Sequence, residues 1–405
     1  MPNQRRSACL ILAICSLTPN SSLMADSNLR GYLKSYAISQ QSIDNALLQA
    51  DQTWQSQSSL RLMWQGSSKS TSSTSYAWEL HYEASPVFSN QLVGTGNLQI
   101  EPPANYRLTD IDPLLVDEAR RPVLQNLDRL NIQLQFDQGD LTIGRQAITF
   151  GSARIINPTD VFLPYNVTAL NTEYRIGVDA IRYQQPLGQL GELDMGFIFG
   201  KDAHPDSSAA FIHGKTNLAG TDLEFAAMRY AKQTLLGAGM QSALGSLGFW
   251  LETAVVNGDR HYWRTSTGVD YAFSESMFGM VEYHYNGAGA TDSRHYLNTA
   301  QTSAYQAGGV FLLGQHYLIP SLSFQATALT TLGLQAIVNL KDKSSFWSIS
   351  ATHNVLDDLY LGLGYYHFIG KPPVANQVTP FEPGYLAAEY GTSPNSVYVQ
   401  LSYYF

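Results

Sequence analysis

Charged side chains in this 405-residue chain recur at every second position within otherwise apolar stretches. In the stretch 76–83, Glu79, His81 and Glu83 alternate with mostly apolar and aromatic residues. Successive side chains of a β-strand point to opposite faces, so this spacing puts the ionisable groups on one face. Such a row can line a water-filled lumen and select ions and solutes. Ten residues have this placement: Arg61, Glu79, His81, Glu83, Asp194, Glu252, Arg264, Asp270, Glu282 and His284.

This predicted lumen-lining set has an excess of acidic groups. Six of the ten residues are Asp or Glu and two are Arg. If they face the water path, the lumen favours cations or neutral solutes. The alternative is that they pair and hydrogen-bond with one another inside a wet interior. The sequence leaves both interpretations open.

A pore constriction is predicted around the segment 149–175. A connection of about 27 residues is longer than an ordinary loop, and such loops are often functional. Folded into the lumen, it would narrow the pore; the alternative is a rigid turn that protects the rim. Its Asn-Pro-Thr-Asp run at 157–160 favours a tight turn. The candidate constriction residues are Arg145, Arg154, Asp160, Asp179 and Arg182.

The facing of three of these residues stays open. Asp179 and Arg182 fall on opposite faces of one predicted strand, and Arg145 follows Gly144, which marks a bulge in many strands. An Arg that faces lipid at the bilayer midplane costs about 2–4 kcal/mol. We therefore expect at least one of Asp179 and Arg182 at a rim or beyond a bulge.

The composition limits the class of protein that can position these groups. The chain is 44% hydrophobic and 12% aromatic, which excludes disorder, and only 14% charged, which is low for a soluble domain. A net charge of −9 argues against a nucleic-acid binder. Beyond the extreme amino terminus there is no apolar run of about 20 residues, as a transmembrane helix needs.

The period-2 pattern predicts an all-β protein, a transmembrane antiparallel β-barrel of about 18 strands, with 16 possible. Short connectors alternate with long ones, and the long ones are 85–127, 149–175, 287–315 and 369–395. This alternation is typical of bacterial barrels, which have short turns at one end and longer loops at the other. The predicted strands lie near 29–38, 57–66, 75–84, 128–136, 140–148, 176–184, 191–200, 209–216, 221–230, 234–243, 247–256, 263–272, 276–286, 316–327, 332–340, 345–353, 358–368 and 396–405.

The first 25 residues have the layout of a secretory signal peptide. Arg5 and Arg6 precede an apolar run of about ten residues, and cleavage is expected after Ala25. The predicted domains are therefore a signal peptide at 1–25 and a barrel at 26–405. Both cysteines, Cys9 and Cys15, lie in the signal peptide, so the mature chain has no disulfide and no thiolate metal site.

The carboxyl terminus and one internal segment resemble Gram-negative outer-membrane porins. Phe405 ends the last strand, with Tyr403 two positions before it, and the pair resembles the signal that the barrel-assembly machinery reads. The run 144–151 (GRQAITFG), followed by 157–162 (NPTDVF), resembles a signature of large barrels of the alginate-export type. That group usually has Trp where this chain has Phe150. The resemblance implies a channel without naming its cargo.

These observations predict an outer-membrane channel for passive diffusion of small hydrophilic solutes, with no cofactor and no metal. The alternatives are a plugged structural or adhesive barrel and a surface enzyme. No Gly-x-Ser-x-Gly, His-Glu-x-x-His or P-loop motif is present, so no catalytic residue is assigned. The expected partners are membrane lipid, lipopolysaccharide, the assembly machinery and the solute, in a monomer or homotrimer.

Overall fold

The structure is a computed structural model, and it describes residues 27–45, 47–69, 75–91, 106–163, 170–171, 173–375 and 384–405. The predicted signal peptide and both cysteines lie outside the described residues. Within the described part, no helix is long and apolar enough to cross a membrane.

Eighteen antiparallel strands form a closed barrel. Each strand pairs with its neighbours in the sequence, and β1 closes the barrel by pairing with both β2 and β18. The fold class predicted from alternation is confirmed, with 18 strands. They are β1 Ser27–Gln40, β2 Thr53–Lys69, β3 Ser75–Ser89, β4 Val123–Phe136, β5 Gly139–Gln146, β6 Val178–Leu187, β7 Gly191–Ile198, β8 Ala209–Leu218, β9 Thr221–Tyr230, β10 Gln233–Leu244, β11 Leu247–Asn257, β12 His261–Ser274, β13 Met277–Asn286, β14 His316–Thr327, β15 Thr330–Asn339, β16 Ser345–Leu356, β17 Leu359–Ile369 and β18 Ser396–Tyr404.

Alternation along the strands separates a lipid-facing surface from an inner face. In β2, Leu60 and Leu62 are exposed on the outside, whereas Ser59 and Arg61 are buried inside. Apolar groups suit the hydrocarbon layer and polar groups need hydrogen-bond partners, so a barrel with this alternation is stable only across a membrane.

The two ends of the barrel differ in the length of their connections. At one end, which we call the turn end, tight turns use glycines with positive φ at Gly188, Gly220 and Gly245. Both described termini lie at the turn end, where Gly31 and Phe405 exchange backbone hydrogen bonds of 2.9 and 3.0 Å. The other end, the loop end, carries the long connections.

The loop end also holds the short secondary elements. Within the loop 287–315 there are two short helices, α1 (Tyr296–Thr299) and α2 (Ser303–Ala307). Two-residue strand pairs join Ile43–Asp44 to Gln49–Ala50 and Val374–Ala375 to Gly384–Tyr385. A three-residue strand, Leu114–Val116, adds to the edge of β4.

Two prolines lie within strands. Pro86, which was expected in a loop, is inside β3 opposite Val123, because β3 and β4 extend further towards the loop end than the alternation indicated. Pro320 is inside β14 opposite Val281. The β14–β15 register is unchanged on either side of Pro320, so no bulge forms there.

Candidate pore and its inner loop

The connection between β5 and β6, described at 147–163, 170–171 and 173–177, contacts the inner wall of the barrel. We call it the inner loop. Its strongest anchor is Glu252 on β11, whose carboxylate accepts backbone N–H groups from Ser152 (2.8 Å), Ala153 (2.9 Å) and Thr159 (2.8 Å). The Thr159 hydroxyl donates to the same carboxylate at 2.7 Å. Glu252 is completely buried by these contacts.

A second carboxylate, Glu282 on β13, holds the next part of the inner loop. It accepts the backbone N–H groups of Arg154 (3.0 Å), Ile155 (3.1 Å) and Ile156 (2.8 Å). The Trp250 indole N–H donates to it at 3.0 Å. Backbone N–H groups that point at one carboxylate form strong charge-assisted hydrogen bonds, so two wall residues fix the path of the loop.

Neighbouring side chains on the wall satisfy the carbonyl groups of the same segment. The Ser266 hydroxyl donates to the Ile156 carbonyl at 2.5 Å and contacts the His284 Nδ1 at 2.8 Å. The Arg264 guanidinium donates to the Pro158 carbonyl at 3.2 Å. Both the donors and the acceptors of the loop backbone are therefore bound by inward side chains of β11–β13.

Apolar side chains of the inner loop pack on two regions of the wall. Phe150 and Phe162 join a buried cluster with Phe211 on β8 and Tyr230 on β9. Ile155 and Ile156 join a second cluster, whose wall residues are on β14–β17. This burial offsets the cost of ordering a long connection, since removing apolar surface from water is favourable.

The returning arm of the inner loop reaches β1, β2 and β18. Asn171 accepts from the Lys34 ammonium at 2.9 Å and donates to the Tyr32 hydroxyl at 2.9 Å. Glu173 forms an ion pair with Lys34 and accepts from the Tyr404 hydroxyl at 2.8 Å. The inner loop thus contacts wall segments on several sides, and a segment that does so lies across the lumen.

The candidate constriction residues occupy three different environments. Arg154 extends from the inner loop with 47% of its side chain exposed, 3.4 Å from Asp270 on β12. Asp160 is fully buried in the same loop, 3.7 Å from Arg175. Burial raises the pKa of Asp160 to about 7, against the opposing effect of Arg175. Of the five candidates, Arg154 is the cation most exposed to the remaining space.

Arg145 and Asp179 lie together at the loop end of β5 and β6. The Arg145 guanidinium contacts Asp179 at 2.7 Å and Asp110 at 3.0 Å, and it donates to the carbonyl groups of Leu127 and Thr109. No bulge forms at Gly144, and the register between β4 and β5 is continuous. Arg145 is buried because residues 107–110 cover this rim, so the pair ties a loop to the strand ends.

The other charged residues of the inner wall form paired groups. Arg182 binds Asp194 through two hydrogen bonds of 2.9 and 2.6 Å. Arg61 pairs with Glu83 at 3.0 Å and with Asp128. Within this wall network, His81 Nδ1 lies 3.5 Å from Arg61 and Asn131 contacts Glu79 at 3.4 Å.

Several residues of this site were not predicted from the sequence. Lys34 shares the inner face of β1 with Tyr32 and Tyr36, whereas Leu33 is on the outside, so the period-2 pattern could have placed it there. Asp110 and Glu173 lie in loops, where periodicity gives no facing. Each of them binds a residue that is at least 35 positions away in the chain: Asp110 binds Arg145, and Glu173 binds Lys34.

Glu389, in the segment 384–395, shows the reverse arrangement: the carboxylate is on the loop, and its donors are on β14, β15 and the loop 287–315. It accepts the Leu313 N–H at 2.8 Å, the Tyr317 hydroxyl at 2.6 Å and the Asn339 amide at 2.9 Å. Burial raises the pKa of Glu389 to about 7. In the described part of the chain, no group of three or more His, Cys, Asp or Glu side chains is arranged to hold a metal ion.

The fold and the inner loop together define a transmembrane β-barrel with a segment folded across its lumen. No protein-family model and no curated protein matches this chain. Several solved structures have a similar fold. One is Pseudomonas aeruginosa OccK5 (OpdH), which has 8% identity over 95% of this chain and 99% of its own chain, with a TM-score of 0.60. Acinetobacter baumannii OccAB3 has 11% identity over 94% of this chain and 99% of its own chain, with a TM-score of 0.57. A variant of OccD1 (OprD) has 11% identity over 94% of this chain and 96% of its own chain, with a TM-score of 0.56. At these identities, the similarity is one of fold.

Proposed function

We propose that this protein is a channel for the passive diffusion of small hydrophilic solutes across the outer membrane of a Gram-negative bacterium, and that it is not an enzyme. The observation that carries the proposal is the inner loop, which Glu252 and Glu282 hold across the lumen. A loop fixed in this way sets the width of a pore and presents Arg154 to the solute. The fold shared with OccK5 and OccAB3 supports the same function.

Conductance of the refolded barrel in a planar bilayer tests the proposal. Discrete, stable current steps are expected from an open pore. Silence from a protein shown to be folded would contradict the channel function and favour a plugged structural or adhesive barrel. Folding is checked independently by β-rich circular dichroism and by resistance to proteolysis.

The ion preference of the channel is proposed to be weak. Glu252 and Glu282 are occupied by the inner loop, and Asp194 by Arg182. Glu79, Glu83 and Asp270 remain the acidic groups of the predicted lining that are partly exposed. Arg154, which is half-exposed, adds positive charge that the lumen-lining prediction did not count, whereas the charge of Lys34 is buried and paired with Glu173. A salt gradient across the bilayer measures the outcome: a reversal potential near zero or slightly towards cation preference is expected.

Export and assembly complete the proposal. Residues 1–25 act as a signal peptide that is removed after Ala25, and intact mass of the protein purified from outer membranes tests this cleavage. Tyr403 and Phe405 form the assembly signal, and lipopolysaccharide contacts the loop end. The oligomeric state, monomer or homotrimer, is measured by native mass spectrometry in detergent.

A further inference from the structure

A polar pocket lies on the inner faces of β1–β4, beside the returning arm of the inner loop. Its volume is about 320 Å³. We call it the β1–β4 pocket and define it by six of its lining residues: Tyr36, Arg61, Glu83, Arg107, Asn126 and Tyr174. Small-molecule sites have volumes of about 300–1,000 Å³, so this pocket is large enough for a ligand of sugar size.

The charges in the pocket are already paired with each other. Arg61 contacts Glu83 at 3.0 Å, and Arg107 contacts Asp110 at 2.6 Å. Two guanidinium groups thus face two carboxylates, and neither sign is in excess. A charged solute would meet a repulsive group beside every attractive one, whereas a neutral solute would break no ion pair.

The pocket nevertheless has hydrogen-bonding groups without partners. Among the described residues, no partner is present for the Tyr36 hydroxyl, the Arg61 Nε or the Arg107 Nη2. Tyr36 is only 4% exposed, so bulk water does not bond its hydroxyl. Buried polar groups in proteins are normally hydrogen-bonded, and each exception calls for an explanation. A bound solute that brings hydroxyl groups supplies the missing partners.

The opposite side of the pocket is apolar. Ile111 and Pro113 come from the loop after β3, and Leu124 comes from β4. The segment that carries Ile111 and Pro113 is fixed, because Asp110 binds both Arg107 at 2.6 Å and Arg145 at 3.0 Å. A ligand that suits this lining has one apolar face and a hydroxylated edge, which is the chemistry of a pyranose ring.

We propose that the β1–β4 pocket is a binding subsite for a neutral, hydroxylated solute of monosaccharide size. The pocket holds the solute between the barrel wall and the returning arm of the inner loop. Asn171, which is bonded to Lys34 and Tyr32, closes its side towards β1. The inference deepens the proposed channel function and rests on it.

Two measurements with D-glucose test the subsite. In bilayer recordings, glucose is expected to lower the mean current in a saturable manner, and sodium gluconate, its anionic counterpart, is expected to act more weakly. In a titration of the detergent-solubilised barrel, glucose binding is followed by calorimetry without any need for conduction. Silent channels that still bind glucose would overturn the channel function alone. Conducting channels without saturable binding would overturn the subsite alone.

The Tyr36→Phe variant locates the site. Its ring is kept and only an unpartnered hydroxyl is lost, so folding should be preserved. Loss of one ligand hydrogen bond is expected to weaken glucose binding roughly three- to tenfold. Tyr360→Phe, which removes a hydroxyl on β17 outside the pocket, is the matched control and should bind as the wild type does. Equal binding by both variants, or tighter binding of gluconate, would overturn the inference.

Discussion

The Glu252 carboxylate and Thr159 are joined twice, by the backbone N–H at 2.8 Å and by the hydroxyl at 2.7 Å. One residue is on the wall strand β11 and the other is 93 positions earlier, in the inner loop. A carboxylate with four donors from one loop acts as a fixed receptor for that loop. The free width of the lumen is therefore a property of the barrel wall as much as of the loop.

Replacing Glu282 tests this anchoring. Glu282→Gln keeps one acceptor oxygen but turns an NH₂ group towards backbone N–H donors, so at least one hydrogen bond is lost. A hydrogen bond to a charged group contributes about 1.5–3 kcal/mol. We expect a larger or fluctuating single-channel conductance as the loop leaves its position. Glu192→Gln, at the turn end, removes a carboxylate bound by Gln184 and Lys215 and is the control. Unchanged conductance and noise in Glu282→Gln would contradict the anchoring role.

Gly144 is expected to be essential for the pairing of β5 with β4. Its φ of +117° is a conformation that residues with a side chain rarely adopt, and an added Cβ would lie 2.2 Å from the Leu130 carbonyl oxygen. Strained backbone of this kind costs about 1–3 kcal/mol before the clash is counted. Gly144→Ala should lower the folded yield in detergent. Gly214→Ala in β8 is the control, since its nearest atom is 4.0 Å away. Equal yields would show that the backbone adapts.

Arg154 should contribute to charge selectivity, because it is the half-exposed cation of the inner loop. Arg154→Glu reverses its charge and places it beside Asp270. A unit charge at 4 Å in water changes an ion's energy by about 1 kcal/mol, which is about fivefold in a permeability ratio. The reversal potential in a salt gradient should move towards cation preference. Lys232→Glu, at a surface ion pair with Asp206, should leave it unchanged. A shift of equal size in both variants would show that Arg154 does not line the water path.

The pH dependence of stability should reflect Asp160. Its pKa is raised to about 7 in the folded barrel, so the folded state binds the proton more tightly than the unfolded state does. The contribution to stability is therefore greatest below the ordinary value near 4 and is lost as the pH rises towards 7. Each tenfold difference in proton affinity is worth about 1.4 kcal/mol. Asp160→Asn should flatten the loss of unfolding free energy between pH 4 and 7, whereas Asp137→Asn in an exposed turn should not. A wild-type slope in Asp160→Asn would rule out this residue as the source.

Phe405 is expected to act in assembly more than in stability. Its ring lies over Gly31, where an added Cβ would be 2.6 Å from the Phe405 Cζ atom. If Phe405 is read by the assembly machinery, Phe405→Ala should reduce the amount of barrel in the outer membrane while refolding in detergent is kept. Phe273→Ala, an exposed aromatic at the same end, is the comparison. Parallel losses in cells and in detergent would instead indicate a role in barrel closure.

Alternation in the sequence was sufficient to predict the strands. All 18 predicted strands have a counterpart in the barrel, and inward residues such as Arg61 and His81 follow from the period of two. The reason is that lipid outside and water inside impose opposite polarity on successive residues. The segment 149–175 was also identified, from its length and its turn residues.

The position of the inner loop was decided by the tertiary structure alone. Its path depends on Glu252 and Glu282, which lie 93 to 128 residues further along the chain, and no local pattern encodes such a pairing. The same is true of Asp110 and Arg145, which lie 35 positions apart and meet at the rim. A strand's facing is local because it follows from backbone geometry. The partner of a buried charge is not local, since any acceptor that closure of the barrel brings within hydrogen-bonding distance can satisfy it.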